Sequence, residues 1–273
     1  MIFDDTQCTL GEGPLWHPLR GELFWFDILG KRLHSKARQW QFDEYVSAAG
    51  WVDADTLLIA SQTALIRFDL RDGSQTRLCD LEADNPVTRS NDGRADPQGG
   101  FWIGTMGIDA QDGAGAIYRY YKGELRQLFA PISISNAICF APDGQTAYFA
   151  DTPKQKIMRV GLDADGWPQG EPVVHIDLSD TDLRPDGAVV DAQGNLWNAQ
   201  WGASRVAGYR PDGTFIESFD FKAKQTSCPA FGGDDLGTLF CTSAATGLDG
   251  PDEGKTYFTT TSYKGQAEHQ VIL

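Results

Sequence analysis

Short apolar runs recur along the chain, each preceded by a turn signal and followed by a segment that alternates apolar and polar residues. Six such runs are predicted as strands, over residues 23–27, 57–60, 101–104, 147–151, 196–199 and 239–242. Their central residues are Trp25, Leu58, Trp102, Tyr148, Trp197 and Phe240, spaced 33, 44, 46, 49 and 43 positions apart. Each run follows a shorter first strand (residues 14–16, 50–52, 93–95, 138–140, 188–190 and 229–231) and a turn. In the turn Asp96-Pro97-Gln98-Gly99, proline presets φ at the second position and glycine tolerates a positive φ at the close. The third strand has a period of two, as in Ala64-Leu65-Ile66-Arg67-Phe68 and Ala116-Ile117-Tyr118-Arg119-Tyr120, which predicts one buried face. Turns such as Arg71-Asp72-Gly73 and Pro211-Asp212-Gly213 then lead to a fourth, outer strand.

About 40 to 50 residues per four-stranded unit is the spacing of β-propeller blades. A two-sheet sandwich also has many short strands, but six internally similar units favour an all-β, six-bladed β-propeller with four-stranded antiparallel blades around a central channel. No stretch of 12 or more residues carries a helical apolar face. No Pro/Gly/Ser-rich linker divides residues 1–273, so a single domain is expected. A ring of blades must be closed by pairing its ends. Residues 1–6, residues 270–273 or both are expected to complete the last blade.

Composition narrows the partners. Lys and Arg number 23 against 38 Asp and Glu, a net charge of −15. That disfavours nucleic acid and anionic membranes, which require clustered cations. No apolar run approaches the ~18 to 20 residues of a membrane span. The N-terminal residues lack the basic and apolar regions of a signal peptide. The five cysteines, odd in number and widely spaced, read as reduced thiols, so a cytoplasmic location is expected. There is no CxxC, HExxH or Gly-rich phosphate loop, and the four histidines are scattered.

In a propeller the first strand of each blade lines the channel, so its first residues converge on one mouth. Those positions are Gly11-Glu12-Gly13, Ala48-Ala49-Gly50, Ser90-Asn91-Asp92, Ser135-Asn136-Ala137, Pro185-Asp186-Gly187 and Thr226-Ser227-Cys228. The repeat therefore places Glu12, Asn91, Asn136 and Asp186 on one ring. Singly, Glu12, Asn136 and Asp186 could each be turn residues; their shared phase argues for a common role. Carboxylates and amides in a partly dehydrated funnel call for a cation among them. An all-oxygen donor set suits Ca²⁺, Mg²⁺ or Mn²⁺, and also admits Zn²⁺ or Fe²⁺. Three protein ligands would leave positions open for water and substrate. Asp92, Asp96, Asp151 and Asp191 read as structural, bonding backbone amides. The aromatics Trp25, Trp102, Trp197 and Phe240 read as packing between blades, and Cys228 as a small packing residue.

The motifs Gly11-Glu12-Gly13-Pro14-Leu15-Trp16, Asn91-Asp92-Gly93-Arg94-Ala95-Asp96-Pro97, Phe101-Trp102-Ile103-Gly104-Thr105-Met106, Ser135-Asn136, Asp151-Thr152 and Pro185-Asp186-Gly187 resemble the sugar-lactonase family that includes gluconolactonase, regucalcin and luciferin-regenerating enzyme. The likeness runs over about residues 8–273. It implies a six-bladed propeller with one divalent ion in the channel, held by Glu12, Asn136 and Asp186. It also implies Asp186 as general base, and Arg89 and Asn91 as holders of substrate hydroxyls. Asp109 lies near where relatives place an acidic residue on the rim. Ala137 stands where relatives usually have glycine. The implied activity is hydrolysis of an aldonolactone to its sugar acid, with a small-molecule substrate and a monomeric enzyme. Two alternatives stay open: a propeller esterase or phosphotriesterase-like hydrolase, and a non-catalytic Ca²⁺-binding propeller. Rim loops 107–115 and 244–254 are expected to set specificity.

Overall fold

The computed structural model describes residues 1–273. Its strands form six four-stranded antiparallel sheets, the blades of a propeller. The only helix is a short 3-10 turn, Thr152–Lys154. Blade 3 shows the plan: Thr88–Ala95 innermost, then Phe101–Gly107, Gly115–Tyr121 and Glu124–Ile132 at the outer edge. The innermost strands of the other blades are Gly11–His17, Val46–Trp51, Ser135–Phe140, Pro185–Val190 and Gln225–Gly232.

The core is a ring of six clusters, one at each junction between neighbouring blades. A twisted sheet that is apolar on both faces must bury both, and only its two neighbours can cover them. The strand-centre aromatics Trp25, Trp102, Trp197 and Phe240 fill these junctions and are at most 4 % exposed. The structural aspartates stabilise the turns and seams between them. Asp96 accepts the N–H groups of Gln98 and Gly100 and pairs with the fully buried Arg119 at 2.6 Å. Asp191 does the same for Gln193 and Asn195 and also accepts the indole N–H of Trp197. Asp151 accepts from Ser133 and Ile134, and Asp92 accepts from Ile138 of the next blade.

The two ends of the chain take different jobs. Strand Ile2–Asp4 pairs with Thr256–Thr260 and is the outer strand of the sixth blade, so the N-terminal segment closes the ring. Residues 270–273 do not join that blade, contrary to the wider expectation. The Val271 N–H donates to the Trp51 carbonyl and the Ile272 N–H to Gly99, while the Gln266 amide bonds the Phe140 and Val190 carbonyls. Glu268 forms a buried ion pair with Arg94, on the innermost strand of blade 3. The C-terminal segment is thus a strap tying blades 2 to 5 together, with Val271 buried in the junction of blades 2 and 3. Its polar backbone spends its hydrogen bonds on blade carbonyls rather than on a sheet ladder.

Candidate active site

Every innermost strand is irregular where it meets the site. The pairing register shifts between Glu12 and Leu15, Val46 and Ala48, Ser90 and Gly93, Asn136 and Cys139, Pro185 and Ala188, and Thr226 and Pro229. Such bulges free a stretch of strand from its ladder and turn its side chains to a new direction. Gly13 (φ 52°) and Ala137 (φ 56°) occupy the left-handed region directly after Glu12 and Asn136.

These bulges bring the ring residues to one cavity of about 340 Å³, lined by Glu12, Arg89, Asn91, Asn136 and Asp186 among others. All five are buried. Glu12 Oε2 accepts the Gly13 N–H at 3.0 Å. The Asn91 amide nitrogen donates to Asn136 Oδ1 at 3.2 Å and to the Ser135 carbonyl, and its Oδ1 accepts from Arg89 Nη1 at 2.8 Å. The Asn136 amide nitrogen donates to Thr152 Oγ1 at 2.8 Å, and that hydroxyl donates to the Pro185 carbonyl. Thr152 thereby fixes the orientation of the Asn136 amide, with its nitrogen engaged and its oxygen toward Asn91. The chain Arg89–Asn91–Asn136–Thr152–Pro185 runs through blades 3, 4 and 5 and ends beside Asp186.

Charge is crowded here. The Glu12 and Asp186 carboxyl groups are within hydrogen-bonding reach of each other. Burial, then the charge of Asp92, pushes Glu12 up to about 8. Burial, then Glu12, holds Asp186 well above the usual carboxylate range. Burial lowers the Arg89 guanidinium to about 10. Without a cation, two carboxyl groups in this environment retain a proton between them. The chain has no cluster of three His, Cys, Asp or Glu side chains placed to hold a metal. The donors available at the cavity are two carboxylates and an amide, an all-oxygen set that fits a hard divalent ion.

Asp109 is exposed, and its flanking residues Ile108 and Ala110 line the cavity in its place. Its N–H is taken by Gln111 Oε1. Cys228 is buried, and burial pushes its thiol well above the ordinary range, which disfavours the thiolate and agrees with a packing role. The remaining lining includes Leu10, Leu29, Met106, Ile134, Thr152, Arg184, Trp201 and Thr246. Four of these were legible in the repeat. Leu29, Met106, Thr152 and Trp201 each stand four positions after the central aromatic of their strand, where the second strand leaves the blade at the same mouth.

The molecule is therefore a six-bladed propeller with one acidic, amide-rich cavity at one end of its channel. Residues 10–245 match the family model described as SMP-30/Gluconolactonase/LRE-like region, and the chain belongs to that family. It is 37 % identical to L-arabinolactonase of Azospirillum brasilense, over 97 % of this chain and 93 % of the relative. It is 31 % identical to 6-deoxy-6-sulfogluconolactonase of Pseudomonas putida, over 95 % of this chain and 94 % of the relative. Among solved structures it is similar to regucalcin, a calcium-binding protein of Agrobacterium tumefaciens strain C58, with a TM-score of 0.97 and 42 % identity, covering 100 % of this chain and 97 % of the other.

Proposed function

We propose that this chain is a sugar lactonase that hydrolyses an aldonolactone to the open sugar acid. The observation that carries the reading is the meeting of Glu12, Asn136 and Asp186, from three blades, in one cavity with Arg89 and Asn91. The lactonases among its relatives support the reaction class, and the calcium-binding regucalcin supports a divalent ion.

Glu12, Asn136 and Asp186 would hold that ion; Ca²⁺, Zn²⁺, Mn²⁺, Mg²⁺ and Fe²⁺ all accept oxygen donors. Bound there, it would supply Lewis acidity toward the lactone carbonyl and balance the carboxylate charge. Asp186, ionised once that charge is balanced, takes a proton from the attacking water. Arg89, whose Nε has no partner, presents donors to the ring hydroxyls, while Asn91, its N–H groups taken by Ser135 and Asn136, offers its Oδ1 as an acceptor; together they fix the carbonyl relative to Asp186. The surrounding apolar side chains Leu29, Met106 and Ile134 exclude competing water.

The test is acid release from a panel of aldonolactones by protein stripped with a chelator, with each divalent ion restored in turn. Turnover that returns with an ion supports the reading. No turnover of any lactone with any ion would refute it. A second reading, a propeller esterase or phosphotriesterase-like hydrolase, draws on the apolar wall of Leu10, Leu29, Met106, Ile108 and Ile134. Faster cleavage of aryl esters than of every aldonolactone would favour it.

A further inference from the structure

The mouth of the cavity carries a cation that the lactonase mechanism leaves unused. Arg184 lines the cavity and immediately precedes the innermost strand of blade 5, two residues before Asp186. It is exposed. Its carbonyl accepts the Trp201 N–H at 3.0 Å, which sets the guanidinium-bearing residue beside the half-buried indole on the same wall. Its side chain has no hydrogen bond or ion pair to any residue, although Asp180 and Asp182 stand close in sequence. Arg89, the other cavity arginine, is different. It is buried and already donates to Asn91 and the Ser90 carbonyl.

A lactone whose carbonyl sits on the cavity floor beside Asp186 directs the far end of its carbon chain toward the mouth. There it would meet a free guanidinium, whose planar fork of donors matches a carboxylate in two-point fashion, and an indole face suited to the C–H side of a sugar. We propose that Arg184 is the specificity-determining residue of a mouth subsite that receives a carboxylate at the end of the substrate remote from the lactone. The preferred substrates are then monolactones of sugar dicarboxylic acids rather than neutral aldonolactones. This rests on the lactonase reading.

The test compares kcat/KM for glucaro-1,4-lactone and glucono-1,4-lactone in the wild-type protein, Arg184→Ala and Arg184→Lys. The wild type should favour the acidic lactone. Arg184→Ala should lower the ratio of the two constants by about 10- to 100-fold, the range of a charge-assisted hydrogen bond, and Arg184→Lys should restore part of it. A ratio unchanged within twofold would overturn the proposal. Calorimetric binding of the ring-opened acids gives an independent reading: glucarate should bind more tightly than gluconate, and Arg184→Ala should erase the difference. Equal weakening of both acids would mean that Arg184 holds the product carboxylate, which also overturns it. If the wild type hydrolyses neither lactone nor any other, the lactonase reading fails while the calorimetry still decides the role of Arg184. The exposed position makes an unfolded variant unexpected, and thermal melts check this.

Discussion

At Asp186 burial and chemistry pull in opposite directions. A base must be ionised, yet burial and the neighbouring Glu12 favour its protonated form. In the proposed mechanism a cation in the cavity resolves the conflict, and the residue would then serve as both ligand and base. Asp186→Asn keeps the shape and an oxygen donor but removes the base. It should cost about 10²- to 10⁴-fold in kcat, the usual contribution of a positioned general base, measured as acid release at saturating metal. The same crowding sets a pH signature for the metal-free protein. Glu12 titrates near 8 in the folded chain against 4.5 for an ordinary glutamate, so the folded state holds a proton that the unfolded state releases across that window. The stability this provides is complete below about 4.5 and is lost as pH rises toward 8. Thermal melts in chelator should therefore show Tm falling between pH 5 and pH 8, and a divalent ion should oppose the fall. A Tm that rises over this range would contradict the buried, metal-free carboxyl pair.

The elements carry the site through their irregularities. A regular innermost strand would alternate its side chains between the two neighbouring blade junctions and send few of them to the mouth. The bulge releases Glu12, Asn91, Asn136 and Asp186 from that alternation, and in blades 1 and 4 it does so through a left-handed residue, Gly13 or Ala137. A Cβ on Gly13 would stand 2.2 Å from the Ser47 carbonyl oxygen, a contact that backbone must move to relieve. Gly13→Ala should destabilise by roughly 1 to 3 kcal/mol through this overpacking and strain and should misplace Glu12, which urea unfolding and metal titration would detect. Ala137 already pays that conformational cost at the matching point in blade 4. Ala137→Gly should relieve it, with a net gain of up to about 1 kcal/mol once the greater freedom of glycine in the unfolded chain is counted. A lower urea midpoint for this variant would mean that the alanine methyl, fully buried in the junction of blades 4 and 5, contributes more packing than strain.

For the whole molecule, stability is a matter of closing a circle, since each junction cluster needs both of its blades. The N-terminal strand closes the sheet of blade 6, and the C-terminal strap binds four other blades near the C-terminal ends of their innermost strands. Glu268→Ala would leave Arg94 buried without its carboxylate and should cost about 3 to 5 kcal/mol, seen as a lower denaturant midpoint. Arg94 shares its strand with Arg89 and Asn91, so the same variant should also raise KM for the lactone. Loss of stability with KM unchanged would show that the strap acts on the ring alone. No helix is long and apolar enough to cross a membrane.

Much of this was written in the sequence because a repeat converts one-dimensional phase into position around an axis. The spacing of Trp25, Leu58, Trp102, Tyr148, Trp197 and Phe240 determined the blade count. The shared phase of Glu12, Asn91, Asn136 and Asp186 determined that they face one mouth. Phase also marks Leu29, Met106, Thr152 and Trp201, but mostly apolar side chains four positions past a strand centre read as ordinary packing until the cavity is seen. What no phase could supply is whatever lies outside the repeat. The rim loop that exposes Asp109 and turns Ile108 inward, the path of the C-terminal strap to Arg94, and the unpaired state of Arg184 each depend on contacts between segments whose separation in sequence has no period. Those contacts exist only once the ring has closed, which is why tertiary structure alone decided them.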